Sequence, residues 1–177
     1  MIPLFTQRLE LRPVTLPLVA LVLAGGRRED IEAILGAELP WTWPSRALVE
    51  QVFLASLDAI RADPATRLWG DRLMVTREER PRVVGSVIFH GRPGDDGVCE
   101  IAYGVEESSQ GKGYGTEALS ASIAWALGEP ECRVVRATTT DWHRASIRVL
   151  EKVGMRLARR QSGSGDMLVY EIGREGA

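Results

Sequence analysis

Cysteine, histidine and long apolar runs are scarce in this chain of 177 residues, and each shortage excludes something. The two cysteines, Cys99 and Cys132, are too few and too far apart for a disulfide framework or a zinc site. Two histidines, His90 and His143, add no ligand spacing, so no catalytic metal is expected. A basic excess is also missing. Lys and Arg total 22 against 24 Asp and Glu, a net charge of −2, which argues against a general nucleic-acid binder. The longest apolar stretch, Leu16 to Ala24, contains Pro17 and falls short of the ~18–20 residues that span a bilayer. It also starts too late for a signal peptide, after a segment with Glu10 and two arginines. It reads as a buried helix. A reducing, cytosolic setting without membrane or nucleic-acid partners is the expectation.

What remains is an ordinary globular composition, 45% apolar and 26% charged, with no repeat, linker or low-complexity segment. One mixed α/β domain over residues 1–177 is expected, large enough to bury roughly two-thirds of its unfolded surface without staples. Residues 8–13 alternate, with Leu9 and Leu11 on one side and Arg8, Glu10 and Arg12 on the other, as in a half-buried strand. Short helices follow near 16–24 and 29–37. After the Pro40–Pro44 tract, Ser45 is placed to cap a helix running to Ala62, with Val49, Phe53, Leu57 and Ile60 as its apolar stripe. Asp63-Pro64 ends that helix. Segments 67–76, 82–90 and 98–105 read as consecutive strands. A glycine-rich turn at 111–115, a helix at 116–127, a strand at 132–140 and a helix at 143–153 come next. The tail reads as a hairpin around residues 162–165.

The turn is the informative stretch. A strand leads into Gly111, Gly113 and Gly115, and these lead into a helix. Alternating glycines let a backbone approach an anion, and the first N–H groups of a helix lack partners and favour negative charge. A turn using glycine only for its positive φ is the bland alternative. The Walker loop does not fit, because Lys112 stands in the wrong frame. The dinucleotide fingerprint fails too: the third glycine is one residue early and Asp141 lies too far along.

Gln110-x-x-Gly113-x-Gly115 resembles the Gln/Arg-x-x-Gly-x-Gly/Ala signature of the GNAT superfamily. The strand Glu100–Val105, the segment Ala145–Met155 and the opening Arg8-Leu9-Glu10-Leu11-Arg12-Pro13 resemble further parts of that family. The last is similar to the branch containing ribosomal-protein N-acetyltransferases. The resemblance implies a mixed, mostly antiparallel sheet, splayed where the cofactor enters, with helices on both faces. It implies acetyl transfer from acetyl-coenzyme A to an amine, by direct attack in a ternary complex, in a monomer or homodimer. The implied cofactor-binding set is Tyr103, Val105, Gln110, Gly111, Lys112, Gly113, Tyr114, Gly115, Thr116, His143 and Ser146. The Val105 N–H is the implied oxyanion donor.

Glu100 is the candidate base, sharing a strand face with Ala102 and Gly104. A solvated or salt-bridged strand carboxylate is the alternative. Glu117 reads as a carboxylate favourable to a helix N-terminus. Ser146 shares a helical face with Val149, Leu150 and Val153, which turns its hydroxyl inward as a cofactor contact or an acid for the departing sulfur. Helix packing is its bland reading. The family commonly places a Tyr acid where this chain has Leu150, and an Asn where it has His143. His143 is therefore either a cofactor contact and acid or an exposed residue at the helix start. His90 reads as packed or surface, near the substrate cleft. Trp41 and Trp43 read as an apolar wall for the acceptor, as core, or as a dimer contact. The departures at 143 and 150 keep a second class open, a non-catalytic acyl-coenzyme A-binding domain.

Overall fold

The computed structural model describes residues 2–44, 57–161 and 166–174. Eight strands form one sheet: β1 (Leu4–Phe5), β2 (Leu9–Pro13), β3 (Arg72–Thr76), β4 (Val83–Phe89), β5 (Val98–Val105), β6 (Val134–Thr140), β7 (Arg156–Gln161) and β8 (Met167–Gly173). Their order is β1-β2-β3-β4-β5-β6-β8-β7, and every neighbouring pair is antiparallel except β5–β6. That parallel pair needs a crossover, which the helix between the two strands supplies.

Helices α1 (Leu16–Leu23) and α2 (Arg28–Leu35) lie on one face of the sheet, over Leu73, Val75, Val83 and Ile88. The short helices α3 (Leu57–Ala62) and α4 (Pro64–Arg67) follow them in the chain. On the other face α5 (Tyr114–Gly128) and α6 (Arg144–Lys152) cover Leu9, Leu11, Met74, Val87, Phe89, Ile101 and Val135. The strand alternation makes this two-sided packing possible, because successive apolar residues on β3 and β4 point to opposite cores.

Several boundaries differ from the sequence reading. The strand expected over 67–76 begins only at Arg72. Asp63 does not merely end a helix: its side chain accepts the Thr66 N–H at 3.1 Å, and Pro64 starts a new turn. The helix expected at 116 begins two residues earlier, at Tyr114, because Gly113 takes φ +84° and serves as its cap. Strand β1 was not foreseen. It is two residues long and carries no alternation to read. The helix expected from Ser45, up to residue 56, and the turn at 162–165 lie outside the described residues.

Arg72 is fully buried on β3. Its guanidinium lies 4.0 Å from the Trp125 ring centre on α5 and donates to the Gly70 carbonyl at 2.7 Å. Burial lowers its pKa to about 10 against the opposing fields of Asp71 and Glu129. The beginning of β3 and the middle of α5 are thereby tied together, close to the strands that form the site.

Candidate active site

The site begins with a sheet that stops pairing. Strands β5 and β6 are matched only at Val98–Val134, Cys99–Val135 and Glu100–Arg136, although they have eight and seven residues. Beyond Glu100 the two strands part. The His90 N–H donates to the Glu100 carbonyl at 3.0 Å, so Glu100, Ala102 and Gly104 turn their backbone groups toward β4. By the same alternation, Ile101, Tyr103 and Val105 aim theirs into the gap. The Val105 carbonyl accepts from Gln110 Nε2 at 3.0 Å, leaving its N–H facing the opening.

The gap has two unlike sides. A Cβ built on Gly115 would lie 3.2 Å from the Tyr103 ring and 3.3 Å from Val105, so α5 packs directly against that face of β5. A larger residue at 115 would push the helix start away from the strand. On this side the loop runs through a 3₁₀ turn at Glu107–Ser109 and reaches Gly111 and Gly113, both at positive φ. The first helical hydrogen bond closes only from the Glu117 N–H to the Gly113 carbonyl, at 3.1 Å. The N–H groups before it have no intrahelical acceptor, which is the condition for an anion site. Lys112 Nζ donates back to the Ser108 carbonyl at 3.0 Å. Thr116 is half-buried. The Tyr114 side chain is buried in the core, so this candidate contact offers the cleft its backbone only.

Ser146 is half-buried on α6, and its hydroxyl lies beside the Tyr103 phenol. Burial raises the Tyr103 pKa, and the Ser146 hydrogen bond offsets only part of that rise. Leu150, one turn further on, is buried in the core. His143 caps α6 without a side-chain capping bond and stands exposed, its ring stacked on Trp142 at 5.7 Å.

Glu100 occupies the opposite face, at the last paired residue. Thr138 Oγ1 donates to its Oε1 at 3.3 Å, and His90 Nδ1 lies 3.4 Å from Oε2. Glu100 and His90 are each a little under half exposed, 44% and 46% by side chain. Glu100 is thus a partly solvated strand carboxylate held between β4 and β6, with Thr138 on one oxygen and His90 beside the other. The two tryptophans separate. Trp41 is 93% exposed, whereas Trp43 packs against the α1–α2 core.

Four contacts escaped the sequence reading. Thr138 and His90 meet Glu100 only through strand pairing. Arg8 and Thr6 reach Glu117 across 109 and 111 residues, and no spacing announces that contact. Among the described residues, no group of three or more His, Cys, Asp or Glu gathers as metal ligands would. No helix among them is long and apolar enough to cross a membrane.

A sheet split beside a glycine-rich helix start, with unpaired N–H groups at the opening, defines this α/β domain. Residues 8–156 match the acetyltransferase (GNAT) domain, and the chain belongs to the GNAT acetyltransferase family. It is 28% identical over 156 residues to the uncharacterized N-acetyltransferase YjdG of Bacillus subtilis (strain 168), covering 87% of this chain and 89% of that one. The fold is similar to a ribosomal-protein-S5-alanine acetyltransferase from Vibrio fischeri, with a TM-score of 0.68 at 13% identity over 99% and 98% of the two chains. It is also similar to RimL, a ribosomal alpha-N-protein acetyltransferase solved in complex with coenzyme A. There the TM-score is 0.63 at 16% identity, over 97% of both chains.

Proposed function

We propose that this protein transfers the acetyl group of acetyl-coenzyme A to a primary amine, a protein N-terminus or a small-molecule amine, by direct attack in a ternary complex. The observation that carries this reading is the unpaired stretch of β5, flanked by the phosphate-type loop on one face and by Glu100 on the other. The thioester supplies an activated acetyl carbonyl and a thiol leaving group.

The chain's own groups divide the work. Main-chain N–H groups from Gly111 through Thr116, with Gly111, Lys112 and Gly113 forming the bend, hold the pyrophosphate, and the Gln110 side chain ties the loop back to the Val105 carbonyl. Tyr103, His143 and Ser146 line the path of the pantetheine arm. The Val105 N–H donates to the oxyanion that develops on the carbonyl, where a fixed donor is worth most. Glu100 takes a proton from the acceptor ammonium, directly or through water, so that the free amine attacks the thioester carbonyl, and Thr138 and His90 flank its two oxygens. Such a base matters more for an alkyl amine near pKa 10 than for a terminal α-amine at about 7.7–8.0. The departing thiol, ordinarily near 8.5, leaves with or without a proton from Ser146 or His143.

Structural relatives support both acceptor classes: RimL is a ribosomal alpha-N-protein acetyltransferase, and another neighbour of this fold is an aminoglycoside acetyltransferase. One observation favours a non-catalytic acyl-coenzyme A-binding domain. Leu150 lies in the core, so the position where the family commonly has a Tyr acid carries no titratable group. Calorimetry with coenzyme A tests the loop that both readings share. The wild type binds, and Gly113→Asp weakens binding by at least about tenfold, because a β-carbon and a like charge enter the anion nest. Unchanged affinity in a folded Gly113→Asp protein would remove the loop from the account.

A further inference from the structure

Arg8 stands at the entrance of β2 and reaches across to the start of α5. Its Nε donates to Glu117 Oε2 at 2.7 Å, and its Nη2 pairs with the same carboxylate at 2.6 Å. Nη1 donates to the Lys112 carbonyl at 2.8 Å, inside the glycine-rich loop. The guanidinium lies 4.8 Å from the Tyr114 ring centre, over its face. The arrangement is held from the other end as well. Glu117 also accepts the Arg8 main-chain N–H at 2.8 Å and the Thr6 hydroxyl at 2.6 Å.

A guanidinium carries five N–H bonds in a rigid plane. Two donate in hydrogen bonds here, Nε to Glu117 and Nη1 to the Lys112 carbonyl, while one edge of Nη2 is turned to Glu117 in ion-pair contact. One N–H on each of Nη1 and Nη2 is left. Nη2 lies only 3.3 Å from the point where a Cβ on Gly113 would project. The loop bend and the free edge of the guanidinium thus meet, and the side chain remains 45% exposed. Glu117 balances the charge of Arg8 without using that edge.

We infer that Arg8 is a further coenzyme A-binding residue, whose outward N–H groups on Nη1 and Nη2 bond the pyrophosphate while the Nη1 bond to Lys112 and the Nε bond to Glu117 hold the loop in its anion-binding shape. This rests on the coenzyme A reading above. A planar fork suits phosphate oxygens, and charge-assisted bonds of this kind are roughly twice as strong as neutral ones. Contact at the loop also restricts the effect to the pyrophosphate, leaving the pantetheine arm and the 3′-phosphate indifferent to Arg8.

The test compares three ligands on the wild type and on Arg8→Met: coenzyme A and dephospho-coenzyme A by calorimetry, and pantetheine by NMR titration. Thermal melting establishes that each variant folds. Arg8→Met weakens coenzyme A and dephospho-coenzyme A equally, by about tenfold, and leaves pantetheine within twofold. Where Arg8→Met does not fold, Arg8→Lys carries the test: it keeps the charge, loses the fork and weakens the two pyrophosphate ligands several-fold. Unchanged coenzyme A affinity in a folded variant overturns the inference. Equal weakening of pantetheine overturns it too, since that marks a structural role alone. A wild type that binds no coenzyme A removes the underlying reading, and this inference with it.

Discussion

Glu100 shows how much a single residue draws from its place in a strand. It is the last residue of β5 paired to β6, and its carboxylate meets Thr138 from one side and His90 from the other. A carboxylate held by two neighbours keeps its orientation, and half exposure lets it exchange a proton with solvent. Glu100→Gln preserves shape and removes the proton acceptor. Turnover then falls by roughly a hundredfold, the low end of what positioned acid–base groups contribute. Coenzyme A affinity stays within twofold, and the acidic limb of the pH–rate profile flattens. A variant with wild-type turnover across that limb would leave Glu100 as an ordinary strand carboxylate. The strand alternation made the face of Glu100 legible. Its two partners were not, since Thr138 is 38 residues away and meets it only once β6 is paired.

Among the elements, α5 depends on an acidic residue in its first turn. Glu117 was legible as a carboxylate favourable to a helix N-terminus. Its function as an anchor was not, because Thr6 and Arg8 come from the opening of the chain. Burial alone would raise the Glu117 pKa, but the hydrogen bonds from Thr6 and Arg8 together hold it below its ordinary value of 4.5. A carboxylate lowered in the folded state stabilises the protein fully above its unfolded pKa. That contribution is lost as pH falls through the folded value. The melting temperature of the wild type should therefore drop between about pH 5 and pH 3 more steeply than that of Glu117→Gln. Parallel curves would show that the Arg8–Glu117 contact adds nothing to folding. Helix ends were harder to place than helices: α5 starts at Tyr114 because Gly113 adopts a positive φ, a choice its sequence allows but does not announce.

At the scale of the whole molecule, the split sheet is the device that makes a site. The apolar, β-rich segments predicted two strands. Their residues do not reveal that pairing stops after three residues; a splayed sheet was only what the family resemblance implied. Arg72 marks the same limit. It reads as a polar strand residue, yet Trp125 on α5 covers its guanidinium and the core closes around both. The motif around Gly113 was legible because phosphate binding needs glycine at fixed local offsets. The acceptor was not, because the neighbours of Glu100, His90 and Thr138, come from separate strands.

Two buried thiols bear on how the central claim is measured. Cys99 and Cys132 lie with their sulfurs 3.4 Å apart, and burial pushes both pKa values up. Thiols held protonated and buried react slowly, so the folded protein contributes little background to a thiol-release assay. The most direct measurement incubates the wild type with acetyl-coenzyme A and a panel of peptide N-termini, amino acids, polyamines and aminoglycosides. Thiol release is followed alongside the acetyl mass on the acceptor. Release above background is expected with at least one amine, matched by equal acetylation of that amine and abolished by Gly113→Asp. Tight coenzyme A binding with no thiol release and no acetylated product across the panel would contradict the proposed acetyl transfer.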